Sequence, residues 1–155
     1  MLGRSKGGAV TLSAVVVAPT VVRAAVVFAS TSSLFLDNFR RWDLPERAGS
    51  ANAVYRRFGT PEEEPDFYRD LSPRTFFDRV EVPILAHHGT RDDSCPSQRA
   101  RSTHAALEKA DVSSELQVYQ GEGTRSNRAG TLRSTGRCGF CADISTRECR
   151  PDPAT

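Results

Sequence analysis

The feature that most constrains this chain is a serine between two glycines near its start, in Gly3-Arg4-Ser5-Lys6-Gly7. The pentapeptide fits G-x-S-x-G, a pattern typical of a nucleophile elbow, in which a sharp turn from strand to helix raises a serine out of the backbone. We expect strained geometry at Ser5, and we expect both glycines to be needed because a β-carbon at either would crowd the turn. The Lys6 N–H, in the first turn of the following helix, would be free to donate to an oxyanion. An ordinary glycine–serine turn is the alternative for the pentapeptide alone.

Two short apolar runs predict buried parallel strands, a third strand is predicted after them, and the stretches between the strands predict helices packed against a sheet. The order of strand, loop and helix indicates a doubly wound parallel α/β fold. The predicted strands are Ala24–Ala29, Val82–His88 and Ser114–Tyr119, and the longer predicted helices run from Lys6 to about Ala18 and from the loop after Pro96 to about Lys109.

The stretch from Leu34 to Leu71 differs from the rest, because aromatic residues alternate there with charges and with prolines. Thr60-Pro61-Glu62-Glu63 predicts a helix start, with Thr60 as the N-cap and Glu63 closing a capping box. The acidic residues Glu62 to Glu64 then form a solvated first turn, and binding of a substrate amine is the alternative. We expect Trp42 and the other aromatics of this stretch in the core.

Composition and charge exclude several classes of protein. A chain of 155 residues has the size of one domain, and its formal net charge of +2 gives no field that would attract nucleic acid or an anionic membrane. The N-terminal apolar run is interrupted by Thr11 and Ser13 and is too short for a membrane span. Without a clean cleavage site after it, the alternative of a signal peptide is disfavoured, and we expect a cytoplasmic location.

Three motifs in sequence order carry a resemblance to a known family. They are the glycine–serine turn from Gly3 to Gly8, His88-Gly-Thr-Arg-Asp-Asp93 with Pro96 behind it, and Tyr119-Gln-Gly-Glu-Gly123. Together they resemble the catalytic half of an α/β hydrolase, closest to the prolyl-oligopeptidase family of serine peptidases, which includes the dipeptidyl peptidases. The resemblance covers Met1 to Gly123 and implies a partial α/β-hydrolase domain over 1–123, followed by a disordered tail over 124–155.

The resemblance also implies roles for single residues. Ser5 matches the nucleophile, Asp92 matches the acid that orients the catalytic histidine, and the Lys6 N–H contributes to the oxyanion hole. Asp93 would cap the loop or the next helix. His87 and His88 match a structural motif at the strand end and His104 a surface position, so none of the three is given a catalytic role.

The implied activity is that of a serine hydrolase that cleaves peptide bonds through an acyl-enzyme, with carboxyl esters as the alternative substrates. The partners are then a peptide or a small ester, with no nucleic acid, membrane, cofactor or metal. The catalytic histidine of the family directly follows a glycine turn like Gly121-Glu-Gly123, and this chain has Thr124 there. A threonine cannot accept a proton near neutral pH, so we expect an inactive chain, and a non-catalytic fragment is the third possibility.

Both ends of the chain depart from the family. The motif begins two residues after Met1, so the strand that feeds the turn is cut short, and we expect truncation at an internal methionine and poor solubility from an unpaired edge on the Ala24–Ala29 strand. From Thr124 onward the apolar periodicity is lost, and we expect a one-nucleotide frameshift after Gly123. On that hypothesis Cys138, Cys141 and Cys149 arise from the shifted frame, and a zinc or redox site is the alternative.

Overall fold

Four parallel strands form a single sheet in the computed structural model, which describes residues 1–123. The strands lie side by side in chain order and all pair in parallel. Their bounds are Leu2–Arg4 (β1), Ala25–Phe28 (β2), Ile84–Gly89 (β3) and Ser114–Tyr119 (β4). The α/β fold with a parallel sheet flanked by helices is therefore confirmed.

The first strand is the short end of the strand that the turn at Ser5 implies, and it adds to the three strands predicted downstream. Leu2 pairs with Val26 and Arg4 with Phe28, so β1 covers the edge of β2 that we expected to be open. Poor solubility was expected from an unpaired edge on β2, and that reason is wrong, because β1 is the outer strand among the described residues. Leu2 itself is 66% exposed.

Two long helices cover one face of the sheet, and short helical segments fill the connection between β2 and β3. The long helices are Lys6–Val17 (α1), which packs on β1 and β2, and Ser97–Lys109 (α6), which packs on β3 and β4. The connection contains Phe35–Asn38 (α2), a π-helical turn Phe39–Asp43, Leu44–Glu46 (α3), Ala48–Phe58 (α4), Pro65–Asp70 (α5) and a 3₁₀ segment Pro73–Arg79.

The predicted capping box forms, but the helix behind it does not. The Thr60 N–H donates to Glu63 Oε2 at 2.9 Å, and the Glu63 N–H lies 3.4 Å from Thr60 Oγ1. The hydrogen bond from the Thr60 backbone lowers the pKa of Glu63. The segment closes as a single turn and α5 begins only at Pro65, because a proline disfavours helical geometry in the residue before it.

The hydrophobic core lies between the sheet and helices α1 and α6, with the 3₁₀ segment closing one side. Each fully buried aliphatic or aromatic side chain contributes roughly 1.5–3 kcal/mol relative to exposure. Its most buried members are Leu12, Val15, Ala25, Phe77, Ile84 and Leu107. Within residues 1–123, no helix has the length and apolar character that crossing a membrane requires.

Candidate active site

Ser5 lies between the end of β1 and the start of α1, in the geometry that the sequence pattern predicts. Its backbone has φ 53° and ψ −122°, which is a strained conformation for a residue with a β-carbon. Three backbone hydrogen bonds hold it there. The Ser5 N–H donates to Phe28 O at 2.9 Å, and Ser5 O accepts from the N–H groups of Gly8 at 2.9 Å and Thr31 at 3.4 Å. The fold therefore maintains a turn that the residue itself does not favour.

The turn has no room for a β-carbon at two glycines, and these are Gly3 and Gly8, whereas the expected pair was Gly3 and Gly7. A β-carbon on Gly3 would lie 2.1 Å from the Gly7 carbonyl oxygen and 2.4 Å from Thr11 Oγ1. A β-carbon on Gly7 would meet nothing within 4 Å, so our prediction for Gly7 is wrong. The second crowded position is Gly8, where a β-carbon would lie 2.6 Å from Ser30 Oγ. The close approach is between α1 and the loop after β2, a contact that the local pattern does not encode.

Lys6 is the first residue of α1, and its backbone N–H has no acceptor among the described residues. An N–H at this position has no carbonyl four residues earlier in the helix to bind. The positive end of the helix dipole adds to the attraction for negative charge at this point. The arrangement can donate one hydrogen bond to an oxyanion that forms at Ser5.

Asp92 is buried in the loop that follows β3. Its side chain accepts a hydrogen bond from the Cys95 N–H through Oδ1 at 2.7 Å. His88 Nε2 lies 2.6 Å from Cys95 O and 3.6 Å from Asp92 Oδ2. Because a carbonyl oxygen only accepts, the hydrogen bond to Cys95 requires the proton on His88 Nε2. His88 is thus a buried support for the loop that carries Asp92.

Cys95 connects the two predicted catalytic residues, and the sequence reasoning missed this role. Its thiol lies close enough to the Ser5 hydroxyl for that hydroxyl to affect its pKa, and its backbone N–H donates to Asp92 Oδ1. Burial raises the pKa of the Cys95 thiol, and the negative charge of Asp92 raises it further. The Ser5 hydroxyl and the charges of Arg41 and Arg99 act in the opposite direction on the same pKa. The only sequence signal was position, three residues after Asp92 and directly before Pro96.

The chain's three histidines lie within the described residues, and none of them is hydrogen-bonded to Ser5. His104 is not a plain surface residue, since its Nδ1 lies 2.9 Å from Ser114 Oγ and its Nε2 lies 3.5 Å from Glu108 Oε1. Thr124, which stands where the family histidine is expected, lies outside the described residues. Within residues 1–123, the predicted nucleophile Ser5 therefore has no imidazole hydrogen-bonded to it.

His87 lies in a row of aromatic rings that crosses three strands. Its ring stacks on Phe28 with centroids 4.6 Å apart and on Tyr119 with centroids 5.8 Å apart. Its Nδ1 lies 2.7 Å from Tyr119 Oη. Burial lowers the pKa of His87, and the charge of Glu115 offsets part of that effect. Because side chains alternate along a strand, His87 and its neighbour His88 point to opposite faces of β3.

A cavity of about 220 Å³ opens beside the start of α1. Trp42 and Asp43, both from the π-helical turn, form part of its wall. Trp42 is half-buried against this space, so its expected place in the core is wrong. The other lining residues are Lys6, Ala9, Thr31 and Asn38.

The remaining candidate ligands give no metal centre in the described part of the chain. No group of three histidine, cysteine, aspartate or glutamate side chains in residues 1–123 is arranged to hold a metal ion. The predicted cysteine-rich alternative, with Cys138, Cys141 and Cys149, lies outside the described residues.

Comparison with known proteins places these features in a wider context. The family model described as the prolyl oligopeptidase family matches residues 1–135, so the match continues past Gly123. No curated protein sequence matches the chain significantly.

Solved structures of peptidases have the same fold. A puromycin-hydrolyzing peptidase of Mycobacterium tuberculosis is similar with a TM-score of 0.64 and 23% identity, over 93% of this chain and 20% of its own. A puromycin hydrolase variant complexed with PGG has a TM-score of 0.62 and 26% identity, over 94% of this chain and 21% of its own. An acylaminoacyl peptidase of Pyrococcus horikoshii has a TM-score of 0.62 and 20% identity, over 83% of this chain and 20% of its own. The chain thus spans about a fifth of the length of these proteins.

Proposed function

The chain belongs to the prolyl oligopeptidase family, and on that premise we propose that Ser5 is the nucleophile of a serine peptidase site. The observation that carries the proposal is the strained backbone of Ser5, with φ 53° on a strand-to-helix turn. Cys95 supports it by bridging Ser5 and Asp92 through its thiol and its N–H. Peptide bonds are the proposed substrates, because the similar structures include peptidases.

The proposed reaction is acyl transfer to Ser5. The Ser5 oxygen forms a bond to the carbonyl carbon of the substrate while its proton passes to a base, and the Lys6 N–H stabilises the oxyanion. The proton then moves to the leaving amine as the C–N bond breaks, which leaves an ester on Ser5 that water hydrolyses. Asp92 would orient the imidazole that serves as the base.

We further propose that this chain alone does not turn over peptides, because it lacks the base. Each of its histidines has a ring nitrogen hydrogen-bonded to a group other than Ser5. Burial raises the pKa of the Cys95 thiol, so the thiol stays protonated near neutral pH and is a poor base. Loss of one member of a catalytic triad leaves only residual catalysis from oxyanion stabilisation and binding.

Two alternatives follow from the same site. A carboxylesterase uses the same triad, and an ester is less demanding than an amide because its leaving group needs less help from a proton donor. A non-catalytic fragment is favoured by one observation, the position of the Ser5 hydroxyl beside a thiol with no imidazole hydrogen-bonded to it in the described residues.

Labelling with a fluorophosphonate probe tests these proposals, with Ser5→Ala as the negative variant. Ser13→Ala is the matched control, because Ser13 is exposed on the same helix. We expect the probe to label the unmodified chain slowly. Added imidazole should accelerate labelling of the unmodified chain and of the Ser13→Ala control, and should have no effect on Ser5→Ala.

The possible outcomes separate the three readings. Labelling that requires imidazole supports an ordered site that lacks only its base. No labelling, even with imidazole, favours the non-catalytic fragment. A burst of product from an activated ester without imidazole, lost in Ser5→Ala and Asp92→Asn, would overturn the proposed inactivity. If imidazole then drives cleavage of an ester but not of the matching amide, the esterase alternative replaces the peptidase.

A further inference from the structure

The cavity of about 220 Å³ beside α1 adjoins the nucleophile. Lys6, one of its lining residues, directly follows Ser5, and the N–H of Thr31, another lining residue, donates to Ser5 O at 3.4 Å. Pockets for drug-sized ligands measure roughly 300–1,000 Å³, so this cavity has room for about one amino-acid side chain. A substrate held with its carbonyl at Ser5 would therefore have one side chain within reach of this space.

The charges around the cavity are unequal. The Lys6 side chain forms no ion pair or hydrogen bond with the described residues. Asp43, the other charged residue of the lining, already has Oδ1 at 4.0 Å from Arg47 Nη1. The lining thus contains one lysine without a partner among the described residues and one carboxylate that has a cation of its own. The positive end of α1 adds to the charge of the lysine.

The remaining polar wall does not compete for a ligand. Both ends of the Asn38 amide are bound to Ser32, with Oδ1 accepting from its N–H at 3.0 Å and Nδ2 donating to its carbonyl oxygen at 2.8 Å. Lys6 is therefore the lining residue whose charged side chain has no partner among the described residues.

We propose that this cavity receives the side chain of the substrate residue whose carbonyl Ser5 attacks, and that Lys6 selects a side chain with a carboxylate. The inference rests on the proposed function for the position of the substrate. The Trp42 ring and the Ala9 methyl group contact the aliphatic part of that side chain, and the Lys6 ammonium binds its carboxylate. The preferred substrate residue is therefore acidic.

Trp42 is the single tryptophan of the chain, so its fluorescence reports directly on this cavity. The experiment titrates the full chain with N-acetyl-glutamate α-amide and with its neutral isostere, N-acetyl-glutamine α-amide. We expect the glutamate ligand to bind about fivefold more tightly, which is the range of a partly exposed ion pair. Lys6→Met should abolish the difference while retaining the backbone N–H. Lys109→Met, which removes the other lysine of the chain, should leave the difference unchanged.

Two results would overturn the proposal. One is equal binding of the two ligands, or an unchanged preference in Lys6→Met. The other is tighter binding of N-acetyl-lysine α-amide than of either ligand, lost in Asp43→Asn, which would assign recognition to Asp43. Trp42 fluorescence requires no catalysis, so a charge preference without labelling of Ser5 would refute the proposed enzyme and leave the cavity's selectivity standing. Labelling of Ser5 without a charge preference would refute only the selectivity.

Discussion

Replacing Gly3 with alanine is expected to be the most damaging single-methyl change near the proposed nucleophile. The new β-carbon would lie 2.1 Å from the Gly7 carbonyl oxygen, where ordinary contact begins at 3.4 Å. The obstacle is backbone, so β1 and α1 must separate, at a typical cost of about 1–3 kcal/mol for overpacking. The same movement disturbs the hydrogen bond from Thr11 Oγ1 to Gly7 O at 3.0 Å, which adds about 0.5–1.5 kcal/mol. The free energy of unfolding should fall by about 2–4 kcal/mol.

Gly7→Ala is the matched control, because it adds the same methyl group four residues away, where it meets nothing within 4 Å. Alanine is favoured over glycine within a helix by about 0.5–1 kcal/mol, so this variant should be as stable as the unmodified chain or more so. Pulse proteolysis across a urea series measures both variants at concentrations low enough to limit aggregation. If Gly3→Ala and Gly7→Ala unfold at the same urea concentration, the close packing of β1 against α1 is refuted.

Three further predictions concern strain, pH and the coding frame. Ser5→Gly should raise the free energy of unfolding by about 1 kcal/mol, since glycine adopts positive φ without strain, and a lower urea midpoint than that of Ser5→Ala would contradict this. Burial lowers the pKa of His87, so the unfolded chain binds a proton more readily than the folded chain. The free energy of unfolding should therefore be highest above the unfolded pKa of about 6.5 and should decrease as the pH falls below it. His87→Phe should flatten that dependence in urea midpoints measured from pH 7 to pH 5, and an unchanged slope would assign it to another group. Sequencing the gene should reveal a shifted frame after Gly123 in which the codon for Thr124 becomes CAC once a single C is restored, and a restored frame without a histidine codon there would end the frameshift hypothesis.

The fold class and the strained turn at Ser5 follow from local patterns in the sequence. Short apolar runs give β2 and β3 to within two residues at each end, because a buried strand is rich in apolar side chains, and the bounds predicted for β4 are those of the structure. The glycine–serine pattern predicts the strained turn at Ser5, because few sequences permit it. These features depend on neighbours within a few residues of each other, and such neighbours are visible in the sequence.

The contacts between distant segments are determined by the tertiary structure alone. Gly8 and not Gly7 is crowded because Ser30, on another loop, lies against α1. The turn at Ser5 implies a strand before it, but only the structure shows that Leu2–Arg4 pairs with β2. The bridge of Cys95 between Ser5 and Asp92, and the exposure of Trp42 to a cavity, both depend on how loops pack across the ends of the strands. Sequence periodicity encodes which face of an element is buried, whereas the partner that buries it is determined by long-range packing.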